Sequence, residues 1–129
     1  MDNVKVGCVI CDILGNNADV SSIVGNKVYP LVANQDTEYP FVVYRRENVI
    51  PTDTKDRYVF SFESNIEILA VSEDYDESLE LADKISNALN GKEGIIAGFD
   101  VKEIKYLGDD EDYIEGAFVQ RITFKITIR

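Results

Sequence analysis

The stretch Arg57-Tyr58-Val59-Phe60-Ser61-Phe62-Glu63-Ser64-Asn65-Ile66-Glu67-Ile68-Leu69-Ala70-Val71 decides the fold. Tyr58, Phe60, Phe62, Ile66, Ile68 and Ala70 fall on one parity, and Ser61, Glu63, Asn65 and Glu67 on the other. A β-strand sends successive side chains to opposite faces. An alternation this long therefore predicts a strand over 57–71, with one face on a core and the other wet or paired.

Downstream the period changes. Leu81, Ala82, Ile85, Ala88 and Leu89 share one helical stripe. Asp74 and Glu77 stand as in a capping box, acids at Asp76 and Glu77 suit a helix N-terminus, and Asn90-Gly91 supplies a stop. The spacing predicts a helix over 75–90. Two strands close the chain: Phe99 to Leu107, from about Ile95 at the earliest, and Tyr113 to Arg129. The acidic run Gly108-Asp109-Asp110-Glu111-Asp112 reads as the turn between them. In the last strand Phe118, Ile122, Phe124, Ile126 and Ile128 point one way. Arg121, Thr123, Lys125, Thr127 and Arg129 point the other.

Upstream, Pro40 leads into the strand Phe41-Val42-Val43-Tyr44-Arg45-Arg46, and Ile50 to Asp56, with Pro51, reads as a mobile connection. Ala33 to Tyr39 is polar loop, and Lys27 to Leu31 is a short strand whose Pro30 suits an edge. Val4, Cys8 and Cys11 recur at helical spacing, with Val6, Val9, Ile10 and Ile13 on neighbouring faces. This predicts a helix covered on more than one side, although its β-branched content keeps a strand in competition. Asp19 to Val24 makes one short extra turn, stopped by Gly25. The predicted order is α-β-β-β-α-β-β. That is an α+β domain, single over residues 1–129, with a mostly antiparallel sheet and two main helices packed on one face.

Composition narrows the function. The 129 residues are 45% hydrophobic and 29% charged, which suits one real core. The net charge of -11 argues against nucleic acid as a sequence-specific partner, because binding a polyanion normally needs a basic patch. There is no histidine, so a Ser–His or Cys–His nucleophilic pair cannot form. No apolar run approaches the ~20 residues of a membrane helix, and the start lacks a signal-peptide pattern. A cytoplasmic, non-membrane, non-enzymatic protein is the expectation.

The residual chemistry is thin. Cys8-Val9-Ile10-Cys11 is formally a C-x-x-C, but it sits in an apolar segment with no preceding strand and no second ligand pair. Small buried core thiols are the expectation. The acidic run lacks the spacing and glycine of a calcium loop; a solvated hairpin tip is expected, and an electrostatic contact to a partner outweighs a metal. No phosphate loop, cofactor or metal is implied. The candidate residues are therefore for protein contact: Arg45, Arg46 and Arg57 around the middle connection, Glu63 and Glu67 on the long strand, Asp109, Asp110, Glu111 and Asp112, and Arg121 and Lys125 on the last strand. Local surface salt bridges worth little are the competing reading of the arginines.

A resemblance covers nearly the whole chain. Ile23-Val24-Gly25-Asn26-Lys27-Val28-Tyr29-Pro30-Leu31-Val32, then Tyr39-Pro40-Phe41-Val42-Val43-Tyr44, then a long strand, the helix Tyr75 to Gly91 and two closing strands, together resemble the tail completion (tail terminator) proteins of long-tailed bacteriophages and prophages. The resemblance implies an α+β subunit that assembles into a homo-oligomeric ring, commonly a hexamer. It implies that the ring sits on the tail tube, stops polymerisation and meets the head-completion or connector proteins. The protein is then expected in the bacterial cytoplasm during assembly and at the virion neck or tail end. The sequence departs from the pattern in its cysteine-containing, β-branched first helix and its acidic run. Gly25, Tyr29, Pro30, Pro40 and Tyr44 match as fold-setting positions, not as a binding site. An acidic lumen that lets DNA slide is one corollary of the net charge. The alternatives are a small non-catalytic binding or adaptor module acting as a dimer and, weakest, an enzyme using only carboxylates.

Overall fold

Alternation in the sequence becomes a six-stranded sheet in the computed structural model, which describes residues 2–52 and 61–129. A 3-10 turn at Asp2–Lys5 is followed by α1 (Gly7–Gly15), α2 (Ala18–Val24), β1 (Val28–Pro30), β2 (Phe41–Thr52) and β3 (Ser61–Ser72). Then come α3 (Tyr75–Leu89), β4 (Gly94–Ile96), β5 (Phe99–Ile114) and β6 (Ala117–Ile128). The strand order is β1-β2-β3-β6-β5-β4. β1 runs parallel to β2, and the remaining neighbours are antiparallel. The fold is α+β.

Register places the apolar parity on one face. Ile66 lies opposite Phe124, Ile68 opposite Ile122 and Ser64 opposite Ile126. Val42 and Tyr44 extend these rows on β2, and Val101 and Ile104 on β5. The helices close this face: Leu81, Ile85 and Leu89 of α3 and Val9, Ile10 and Leu14 of α1 are all fully buried against it. Each such side chain contributes on the order of 1.5–3 kcal/mol by leaving water, so the stripe and the strand parity together set where the helices lie.

Local signals account for the boundaries. Asn17 accepts from the Val20 amide at 3.0 Å and starts α2. At α3 the expected reciprocal cap is replaced. Asp74 occupies the cap position without a side-chain bond, while Ser72 donates to Glu77 Oε1 at 2.7 Å and accepts from the Asp74 amide at 3.0 Å. Ser72, fully buried at the strand end, sits close enough to intercept Glu77.

Several expectations are corrected. The acidic run is not a turn: Asp109, Asp110, Glu111 and Asp112 lie inside β5, and the chain reverses at Glu115-Gly116. Those two residues have φ of 50° and 84°, the pair of left-handed conformations that a two-residue hairpin takes to match strand twist. Pairing with β6 overrides the weak strand propensity of aspartate. Cys8 and Cys11 are exposed rather than buried. Helix phase turns Val6, Val9, Ile10 and Leu14 to the core and leaves the cysteine face outside. β4 is a separate short strand before the Ala97-Gly98 reversal. β2 continues through Ile50–Thr52, where a connection was expected. The remainder of that connection, and Arg57, Tyr58 and Phe60 of the strand predicted over 57–71, lie outside the described residues.

Candidate protein-interaction surface

The face of the sheet turned away from the helices collects most of the predicted contact residues. Arg45 pairs in register with Glu67, Glu67 with Thr123, and Thr123 with Gly108. One row on, Leu69 lies opposite Arg121, and Arg121 opposite Asp110. Arg121 bridges these rows: its Nη1 reaches Asp110 Oδ1 at 2.5 Å and its Nε approaches Glu67 Oε1 at 3.6 Å. Lys125 approaches Glu63 at 3.9 Å. Long strands held in register thus bring Glu63, Glu67, Asp110, Arg121 and Lys125 together as a charge ladder within the chain.

Glu67 is the most constrained member of the ladder. Burial, followed by a hydrogen bond shared with Glu47, pushes its carboxyl above the usual range, and the positive charges of Arg45 and Arg121 only partly oppose this. Arg121 spends its closest contact on Asp110, so it neutralises Glu67 incompletely.

The same face holds a patch of apolar side chains that sequence alternation did not reveal. Val71, Val119 and Ala117 are buried there, flanked by Phe41 and Leu69. The signal was present as Val71 and Val119 on the polar parity of their strands. It needed the register Phe41↔Val71↔Val119 to become a cluster.

On the helix side, the acids of β5 tie the hairpin to α3. Gln120 Nε2 donates to Glu111 Oε2 at 2.9 Å, and the Tyr75 hydroxyl donates to Glu111 Oε1 at 3.1 Å. These two bonds, Gln120 first, hold the Glu111 carboxyl below its ordinary range, while the same contact raises Tyr75. Tyr106 donates to Asp109 and is raised by it. Phe118 packs edge-on against Tyr75 at 5.4 Å and lies 4.9 Å from Tyr113. Asp109 and Glu111 thus face the helices, and Asp110 and Asp112 the opposite side. Among the described residues no three His, Cys, Asp or Glu side chains converge as a metal-ligand set.

Arg45 and Arg46 lie at the β2 edge. Arg45 reaches Glu47 at 4.0 Å, and Arg46 Nη1 donates to the Val4 carbonyl at 2.6 Å. Beside them is a shallow open cleft of about 260 Å³ between Val4, Cys8, Leu31, Tyr44 and Arg46. Gly7 lets the Tyr44 ring approach α1, since a Cβ there would meet it at 3.0 Å. Burial, then the neighbouring Cys11 to which its hydroxyl bonds, pushes Tyr44 up to about 12. No helix among the described residues is long and apolar enough to cross a membrane.

The model of the family described as "Tail completion protein gp17" matches residues 9–129. No curated protein matches the sequence. Among solved structures, a chain from the "Virion of native gene transfer agent (GTA) particle" is similar at a TM-score of 0.76 and 15% identity, over 92% of this chain and 90% of that one. At that identity the likeness concerns the fold.

Proposed function

This chain belongs to the tail completion protein gp17 family of bacteriophage structural proteins, and from that premise we propose that it forms a ring that caps the tail tube. The ring ends tail polymerisation and presents a surface to the head-completion proteins. The subunit acts as one domain and without catalysis, made in the host cytoplasm and carried into the virion. The family match over residues 9–129 carries this reading. A chain with no histidine and a net charge of -11 supports a role in protein assembly over catalysis or nucleic-acid binding. A hexamer is the ring size that the family resemblance implies. The outer-face ladder of Glu63, Glu67, Asp110, Arg121 and Lys125 and the β2-edge arginines are its proposed contact residues, with Arg57 joining them from the sequence.

Light scattering followed by negative-stain imaging tests the ring. Annular particles are expected as protein concentration and salt rise, because salt screens the repulsion between like-charged subunits. A strict dimer across a wide range of both would overturn the ring in favour of a dimeric adaptor. Deleting the gene from its phage or prophage is expected to give tails of uncontrolled length that fail to join heads. Tight retention of DNA by the purified protein at physiological salt would exclude a lumen that lets the genome slide.

A further inference from the structure

The sheet is open along two half-edges of matching length. On one side β1 covers β2 only at Val42–Tyr44, and Leu31 closes that stretch by donating to the Tyr44 carbonyl. Beyond it, residues 45–52 of β2 pair with β3 but have no strand on their other side among the described residues. On the other side β4 covers β5 only at Phe99–Val101. Gly91 donates to the Ile104 carbonyl and Asn90 accepts from the Tyr106 amide. Beyond those contacts, residues 107–114 of β5 are likewise uncovered. Open strand edges of this length are templates for pairing with another chain, and natural proteins normally cover or blunt them.

The geometry points to a second copy of this chain as the occupant: residues 108–114 of β5 add antiparallel to residues 45–52 of β2 in the next copy, with Glu47, the extra residue where the β2 register shifts between Arg46 and Asn48, left out of the pairing. This rests on the ring reading above and names its interface. Directions agree, because β2 and β5 run oppositely within one sheet. Hydrogen-bond phase agrees as well. Alternate residues of a strand turn their amides to the same side. The Val42 amide and the Tyr44 carbonyl turn to the β1 side, so Arg46 does too. On β5 the Ile114–Ala117 pair closes the hairpin, so Tyr113 turns its amide outward, where among the described residues its neighbour Asp112 accepts it, at 2.8 Å.

Pairing Tyr113 with Arg46 of the next copy brings matching faces together. Arg45 then lies beside Ile114 and one diagonal step from Asp112 on the outer face. Arg46 lies beside Tyr113 and one diagonal step from Glu111 on the helix face. Both diagonals are within reach of side chains this long. Tyr113 and Ile114 are 60% and 44% exposed in the single chain and would be covered. The open halves lie at opposite ends of the sheet: Asp112 is level with Phe41 of its own copy, whereas Gly108 is level with Arg45. Each joint therefore displaces the next copy along the strands by about 20 Å at ~3.3 Å per residue. Four strand spacings of ~4.8 Å separate equivalent β2 strands. The two together incline the strands by about 45°, within reach of the 35–45° tilt of closed barrels. The joint is heterologous, and such an interface closes into a ring when its rotation permits.

The test uses paired charge reversals and a cross-link in the full chain. Arg45→Glu with Arg46→Glu, and separately Glu111→Arg with Asp112→Arg, are each expected to abolish rings at concentrations where the wild type forms them. An equimolar mixture of the two variants is expected to restore them, since every joint then meets opposite charges. In a Cys8→Ser, Cys11→Ser background, Arg46→Cys with Tyr113→Cys is expected to give a covalent ladder of subunits on oxidation, because directly hydrogen-bonded strand partners stand within disulfide range. The cross-link does not depend on the folding of the reversal variants. Wild-type rings with no ladder, or rings indifferent to both reversals, overturn the edge pairing and leave the ring standing. A wild-type chain that stays monomeric or dimeric, with tail tubes added as well as alone, overturns both.

Discussion

Glu67 lies near two arginines, yet burial and its bond with Glu47 make it harder to ionise than a free glutamate. A carboxyl raised on folding contributes stability that is present below its unfolded pKa and is lost as pH rises through the folded one. Glu67→Gln, which keeps the shape and removes the charge, should therefore raise the melting temperature near neutral pH. The gain should shrink as pH falls and the wild-type side chain takes up its proton, which it does before an ordinary glutamate would. A variant less stable at neutral pH would mean that attraction to Arg121 dominates. Glu111 has the opposite sign: its lowered carboxyl stabilises above the ordinary carboxylate range, and that contribution fades as pH falls. The cysteines make a second test at this scale. Both are exposed, so a thiol reagent should label both in the native protein without denaturant. Protection of either until unfolding would contradict the helix phase.

At the scale of elements, the β5–β6 hairpin carries the acidic residues, and its reversal at Glu115-Gly116 sets their register. Gly116 has φ of 84°, a conformation that costs a side-chain-bearing residue ~1–2 kcal/mol. Gly116→Ala should lower stability by about that amount in chemical denaturation. An unchanged midpoint would show that another turn can serve. Much of this level was legible in advance. The stripe Leu81, Ile85, Leu89 and the parity of Ile66 and Ile68 are local patterns that survive folding unchanged. The acidic run was not legible, because four consecutive acids look like a solvated tip until Arg121 and Gln120 lie opposite them. Nor was β4, whose Gly94–Ile96 is too short to show a period.

For the whole molecule, the net charge of -11 and the open half-edges act against each other. Long-range repulsion is screened within a Debye length of ~8 Å at physiological salt, whereas contacts made at a joined edge are screened less. Association measured by sedimentation should therefore strengthen from low to moderate salt. A monotonic weakening would mean that the joint consists mainly of solvent-exposed ion pairs.

The amino-acid sequence alone determined the α+β class, the core parity, the principal helix, the acidic and histidine-free character and the family resemblance. Each is a property of composition or of neighbours along the chain. Tertiary structure decided the rest: the burial of Val71 and Val119 on the outer face, the exposure of Cys8 and Cys11, and the place of Asp109 to Asp112 within a strand. The reason is physical. Periodicity specifies which residues share a face, but only pairing and packing between distant segments specify what that face meets.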